Sequence, residues 1–250
     1  MRRKLTGREP GQYAKERYHA GLSRWRRRMS PRWLMLFGPI FLALLGLLVF
    51  GPRAWREFVI FLTGGIFATL IILFDSPPAH IDWWLSGSEA ERRTAKQLKR
   101  LDKKQWVVKH DVQRGKWNWD HVVVGPSGVF LIDTKQLSGS AELLADGSLQ
   151  VIRIDDEEDS YVLHRLHGLI KQNARELSQA LREKTGLREW VTPVVALWNS
   201  FPQGLELFDK VVYLEASGIL DWLRNQPAKI DDERRRLIAD ALTSLTDSRF

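Results

Sequence analysis

The chain contains no cysteine. That removes disulfides, thiolate nucleophiles and cysteine-ligated zinc from consideration, and it fits a reducing compartment. There is no internal repeat, and no low-complexity segment beyond a basic N-terminal tail. A basic excess is also missing from most of the chain. Residues 1–32 carry 11 Lys/Arg against 2 acids, residues 33–74 carry 2 against 1, and residues 75–250 carry 25 against 27. The overall net charge of +8 therefore belongs to the tail, and the long C-terminal part stands at −2. Basicity spread over the whole protein is not an argument for nucleic-acid binding here.

Two stretches lack charge altogether. Trp33 to Phe50 runs 18 residues without an ionisable side chain, and Phe58 to Phe74 runs 17 more. Each is close to the length that crosses a hydrocarbon core of about 30 Å at about 1.5 Å per residue. Gly51-Pro52 and the polar Arg53–Glu57 segment leave room only for a short turn, so two transmembrane helices in a hairpin (33–50, 58–74) are expected. Trp33, Trp55 and the Trp83-Trp84 pair fall near the span ends, where indole rings favour the interface. The first apolar run is too long and too far from the N-terminus for a cleaved signal peptide. Arg24, Arg26, Arg27, Arg28 and Arg32 precede it, against Arg53 and Arg56 in the loop. The tail and the rest of the chain are thus expected in the cytoplasm, with the protein multi-pass in the cell membrane. The tail reads first as a topology signal and second as a contact for anionic lipid.

The remainder alternates helical and strand patterns. After a linker at 75–86, Gly87–Lys104 has a helical apolar stripe (Ala90, Ala95, Leu98, Leu101), and Trp106–Val112 reads as a strand. Two apolar strands then flank Gly125-Pro126-Ser127-Gly128, which is turn chemistry. Asp146-Gly147 marks a small hairpin insert, and Asp155–Asp159 reads as a solvated acidic loop. Tyr161–Glu183 is a long amphipathic helix, Val191–Trp198 and Lys210–Leu214 are strands, and Ser217–Asn225 and Asp231–Leu245 are closing helices. The order predicts an α/β fold, a mixed-sheet α/β/α sandwich at 87–214, with the helices of 215–250 packing on or extending it.

Ionisable residues are unusual in strands this apolar. Asp133 and Lys135 lie two apart and share a face, and Asp120 joins them if the hairpin pairs in ordinary register. Two carboxylates and an ammonium on one apolar scaffold suit a divalent-metal site that cleaves phosphodiesters. The plainer reading is a surface ion pair on an edge strand. Glu91 has a plain reading too, as a first-turn acid favoured by the helix dipole. His164 and His167, at i and i+3, lack a third ligand and read as a half-exposed pair. His121 faces away from Asp120 and reads as packing.

In this order, these residues resemble the nuclease-related domain family (NERD), a branch of the PD-(D/E)xK nuclease superfamily. The match runs from roughly Gly87 to Leu214. Its parts are Glu91 in Gly-Ser-Glu-Ala-Glu-Arg, Asp120 in Trp-Asp-His-Val-Val-Val-Gly-Pro, Asp133-Thr134-Lys135, and Gln172 in Lys-Gln-Asn-Ala. The family usually has Glu where Asp133 stands and Gly where Ala90 stands. The resemblance implies a restriction-endonuclease-like fold preceded by the membrane helices, and hydrolysis of DNA, with RNA not excluded. It implies Mg²⁺ or Mn²⁺ held by Asp120, Asp133, Glu91 and the Thr134 carbonyl. Lys135, beside two carboxylates, is expected to stay charged and counter charge on the phosphoryl group rather than serve as base. Gln172 is expected to fix the attacking water. Arg92, Arg93, Lys96, Lys116 and Trp117 are candidate nucleic-acid contacts, with a solvated helix face as the plainer reading. The rival function is a catalytically silent module on the same fold, binding nucleic acid or a protein partner at the membrane.

Overall fold

The computed structural model describes residues 9–76, 79–114, 117–153 and 160–247. The chain divides into two compact units. One is Ala14–Leu85, and the other is Ser86–Phe250 together with the N-terminal residues through Tyr13.

Two long helices dominate the first unit. Helix α1 (Gln12–Phe50) begins well ahead of the expected span, so residues 12–32 of the tail are helical. Nothing in Gln12–Ser30 breaks a helix except Gly21, and Pro31 and Pro39 are accommodated within it. The helix ends at Gly51, whose amide donates to the Leu47 carbonyl at 2.8 Å. A Cβ at Gly51 would lie 2.3 Å from that carbonyl oxygen, so the turn requires glycine. A 3-10 turn (Arg53–Trp55) leads into α2 (Arg56–Asp75). Among the described residues one helix, Arg53–Ile72, is long and apolar enough to cross a membrane, and the apolar part of α1, Met35–Phe50, is shorter. The expected pair of spans thus has one candidate by length and composition.

Helix α3 (Ala79–Leu98) starts inside the segment expected to be a linker, because the sequence has no breaker there before Gly87, which the helix tolerates. It ends at Leu98 rather than Lys104. Ser88, Glu91, Thr94, Ala95 and Leu98 form its buried stripe.

Strands β1 (Val107–Arg114), β2 (Trp117–Gly125) and β3 (Gly128–Lys135) make an antiparallel meander. The small sheet of β4 (Gly139–Leu143), β5 (Leu149–Arg153) and β6 (Tyr161–Leu163) follows, then α4 (Leu166–Thr185). Strand β7 (Val191–Leu197) returns parallel to β3. Then come β8 (Leu205–Phe208), β9 (Val211–Glu215), a 3-10 turn (Ala216–Gly218), α5 (Ile219–Arg224) and α6 (Asp232–Asp247). The main sheet is mixed, in the order β1-β2-β3-β7-β9-β8.

Alternation along the strands separates the two faces of the sheet. Phe130, Ile132, Val194 and Leu214 pack with Leu98 of α3 and Ile219 and Leu223 of α5. Val122, Val129 and Leu131 pack with Ala174, Leu177 and Leu181 of α4 and Ile238 and Leu242 of α6. The expected mixed α/β sandwich is observed. Tyr161–Leu163 adds a strand to the insert instead of opening α4, and β8, four residues long, was not foreseen. The acidic Asp155–Asp159 segment lies outside the described residues.

The β2–β3 turn is clamped from outside. Pro126 offers its carbonyl to the amides of Lys229 and Ile230 at 2.8 and 3.1 Å, and Ser127 Oγ donates to the Gln226 carbonyl. The Trp106 ring lies flat against Gly125, where a Cβ would come within 2.1 Å of it. Gly125→Ala is accordingly expected to lower stability by about 1–3 kcal/mol, the usual cost of overpacking, read as a drop in the chemical-denaturation midpoint.

Candidate functional site

The β2–β3 ladder stops at His121↔Ile132, one residue short of Asp120 and Asp133. Beyond that point side chains take over from the backbone ladder. The Thr134 amide donates to Asp120 Oδ2 at 2.9 Å. Asp133 and Lys135, on the same face of β3, meet at 2.5 Å between Oδ2 and Nζ. The far side of this strand end is held by α3. Thr134 Oγ1 lies 3.1 Å from Thr94 Oγ1, which also accepts the Trp198 indole N–H at 2.8 Å. Glu91 is one turn before Thr94 on the same buried stripe and only 8% exposed. It is the thirteenth residue of α3 rather than a first-turn acid, so the helix dipole does not account for it.

A fourth carboxylate, Asp111, was not foreseen. In the register of β1 and β2 it falls opposite Asp120, between the pairs His110↔His121 and Val112↔Trp119. Its φ of +47° interrupts the ladder, a left-handed conformation that is uncommon for a residue inside a strand. It is 3% exposed, and its Oδ2 accepts the Tyr13 amide at 3.2 Å in the first turn of α1. Ser88, one turn before Glu91, donates to the Gly11 carbonyl at 2.9 Å. Residues 11–13 are thereby fastened beside the carboxylates. Only the +47° backbone marks Asp111, and no motif in the sequence encodes that.

Burial and mutual repulsion set the electrostatics. Burial, then Asp120 and Asp111, push the Glu91 carboxyl up to about 9. Burial, then Asp133, raise Asp120 to about 7, against the help of Lys135 and the Thr134 amide. For Lys135 burial favours the neutral form, but Asp133 and Asp120 outweigh it and hold the ammonium well above its ordinary value. The carboxylates beside Lys135 favour its charged form.

Among the described residues Glu91 Oε2 is buried without a hydrogen-bond partner. Glu91, Asp120 and Asp133 offer only oxygen donors, and Lys135 stands beside them. This set fits a hard divalent cation in charge and donor chemistry. Among the described residues no three such side chains already converge as a metal cage. Asp133 is turned to Lys135, and the Thr134 side chain is turned to Thr94.

The other expected residues are placed as follows. Gln172 is not joined to the cluster. Ile170, Ala174 and Leu177 take the sheet-facing stripe of α4, which leaves position 172 exposed, and its amide donates to Glu176 at 3.0 Å. Arg92, Arg93 and Lys96 are exposed on α3. Arg93 reaches Glu89 at 3.8 Å and lies over the Trp198 ring. Arg92 and Lys96 join Lys99, Lys103 and His110 around a groove of about 610 Å³. Lys116 lies outside the described residues, and of Trp117 only the backbone is described.

His121 is fully buried, as expected, and its Nδ1 is 2.8 Å from that of His110 across the ladder. Burial lowers His110 to about 4 and, with His110 beside it, holds His121 well below the ordinary range. His164 precedes α4, so the i, i+3 helical pair is not formed, and His167 contacts Tyr213 and Asp209. Sequence reading also missed Asn199. It donates to the Leu137 and Gly139 carbonyls and accepts the Leu137 amide, fixing the chain where it leaves β3.

Residues 86–198 match the family model of the nuclease-related domain (NERD). Every carboxylate of the cluster, and Lys135, falls within that segment. No curated protein and no solved structure matches the chain.

Without metal, the raised carboxyls make the folded protein bind more protons than the unfolded chain, so their stabilisation is full at low pH and lost as pH rises through about 7 and then about 9. Between pH 6.5 and 9, above the histidines' range, the denaturation midpoint in EDTA should therefore fall. Glu91→Gln should flatten the upper part of that slope.

Proposed function

We propose that this nuclease-related domain is a metal-dependent nuclease, tethered to the membrane by the helices before it. The observation that carries the reading is the gathering of Glu91, Asp120, Asp133 and Lys135 at one end of β2 and β3, where burial and mutual repulsion raise the Glu91 and Asp120 carboxyls. Asp120, Asp133 and Glu91 would hold Mg²⁺ or Mn²⁺, and Asp111 adds negative charge behind them. A bound divalent ion supplies polarisation of a phosphoryl oxygen and a water of lowered pKa.

The chain's own residues do the rest. The Thr134 amide holds Asp120 in one orientation. Lys135, kept protonated by its neighbours, balances the negative charge that builds on the phosphoryl oxygens as the P–O bond breaks. Thr94 and Trp198 brace the strand end that presents both groups. Water orientation passes to groups other than Gln172. DNA is the proposed substrate.

Membrane anchoring draws support from Arg53–Ile72 and from the large apolar side chains exposed along both helices, among them Met35, Phe50 and Phe61. Two spans, with the tail and the nuclease-related domain in the cytoplasm, follow from the arginine asymmetry. A C-terminal reporter enzyme active only outside the cytoplasm should be silent, and activity would overturn the orientation.

Full-length protein in detergent should cut plasmid or single-stranded DNA with Mg²⁺ or Mn²⁺ and not with EDTA. Lys135→Ala should cost about 10²–10³ in rate, and Asp133→Ala at least as much, in variants that keep the wild-type denaturation midpoint to within about 1 kcal/mol. Mn²⁺ should also raise the melting temperature of wild type, and less that of Asp120→Asn. Undiminished cutting by both variants would sink the mechanism. Well-folded wild type that neither cuts nor gains stability from metal would favour the catalytically silent module.

A further inference from the structure

A groove of about 920 Å³ runs along the outer side of α4, away from the carboxylates. Lys171, Arg175 and Arg182 line one wall with Ser178 between them. Their spacing of 4, 3 and 4 residues puts all of them on one stripe, about 16 Å long at 1.5 Å per residue. Arg188 and Lys210 stand on the other wall, and Trp190 between them is 58% exposed.

The acids of the groove neutralise only part of it, since Asp209 takes up Lys171 and leaves the arginines. Glu189 is held by Arg234 and Asp209 by Lys171, while Glu183 receives the Gln179 amide. Arg175, Arg182 and Arg188 form no ion pair among the described residues. This concentration of cations stands out because residues 75–250 as a whole carry a net −2.

The turn between β8 and β9 adds an independent sign. Asp209 and Lys210 both have positive φ, +41° and +69°, in a two-residue hairpin where Asn-Gly would be unstrained. The side chains that carry this strain both face the groove. Asp209 reaches Lys171, and the Lys210 ammonium sits 5.2 Å from the centre of the Trp190 ring.

We infer that this groove is a second binding track for the phosphate backbone of single-stranded nucleic acid, with Trp190 as a stacking platform for an unpaired base. The inference rests on the nuclease reading for the class of polyanion. Three cations along one helix stripe, with Ser178 in the two-turn gap between Arg175 and Arg182, match a chain of phosphates. A concave groove suits a strand that can enter it, whereas a lipid surface needs cations on a flat or convex face. An indole face open to solvent takes a base only when that base is unpaired. Val191 at the groove pairs with Val129, whereas Lys135 pairs with Leu197 six residues further along the same ladder. At about 3.3 Å per residue the track lies about 20 Å from Lys135, within reach of one extended strand.

The test uses the full-length Lys135→Ala protein in detergent and EDTA, so that binding is read without cleavage. The probe is a fluorescently labelled oligothymidylate of about 20 nucleotides, longer than the about 4–16 that single sites cover. Arg175→Glu with Arg182→Glu should weaken Kd at least about tenfold and reduce the slope of log Kd against log salt by about 1.4, two phosphate contacts at about 0.7 each. Trp190→Ala should weaken it about fivefold or more with the slope unchanged. Arg175→Lys with Arg182→Lys should retain most of the affinity, which separates charge from folding. Unchanged affinity and slope in the folded Glu variant, or absence of binding by the parent, would overturn the track. So would loss of binding to phosphatidylserine vesicles with oligonucleotide affinity intact, which assigns the groove to lipid. Cleavage is measured separately, so a silent carboxylate site leaves this result standing on its own.

Discussion

The α/β unit depends on one electrostatic tension. Four carboxylates from four elements, α3, β1, β2 and β3, are drawn into one partly dry place, and the Lys135 ammonium is set among them. Burying like charges together is costly, and the shifted protonation of Glu91 and Asp120 is how the protein without metal limits that cost. Much of the surrounding architecture serves to hold this arrangement. Thr94 and Trp198 brace the strand end, Asn199 pins the chain beyond it, and the C-terminal segment clamps the hairpin turn at the opposite end. In the proposed reading a divalent cation complements these carboxylates, and Lys135 supplies a charge that no pH near neutral removes.

The N-terminal residues are part of the same arrangement. Gly11 and Tyr13 are tied to Ser88 and Asp111, so the chain that continues into α1 starts from the edge of the carboxylate cluster. Gly11 has φ of +75° and lies so close to Ser88 that a Cβ would sit 2.6 Å from its carbonyl oxygen. No other residue fits there without moving α3.

Much of the fold was legible in the sequence. The hairpin around Gly125–Gly128, the strand at Val191–Leu197 and the insert at Asp146-Gly147 all lie where turn residues and apolar periodicity put them. The misreadings share a cause. Gly87 was taken for a boundary although a helix held on both sides absorbs one glycine, and Tyr161–Leu163 followed the helical stripe downstream until pairing with β5 claimed it. Of the site, Asp120, Asp133 and Lys135 could be read because charge in an apolar strand is conspicuous. Gln172 could not be placed, since its direction depends on which stripe of α4 meets the sheet.

By itself, the sequence determined what alternates with what: apolar runs long enough for spans, strands broken by glycine and proline, and ionisable residues at period two on one strand. Local sterics and hydrophobic periodicity act over a few residues, and that information survives in the linear chain. Only the tertiary structure decided which charges share a space. Asp111 joins Asp120 through strand register, Glu91 joins them because α3 buries that stripe, and the cations beside Trp190 gather because α4 lies against β7. Electrostatic energy depends on distance through space and on the water excluded between groups, and neither is a property of position along the chain.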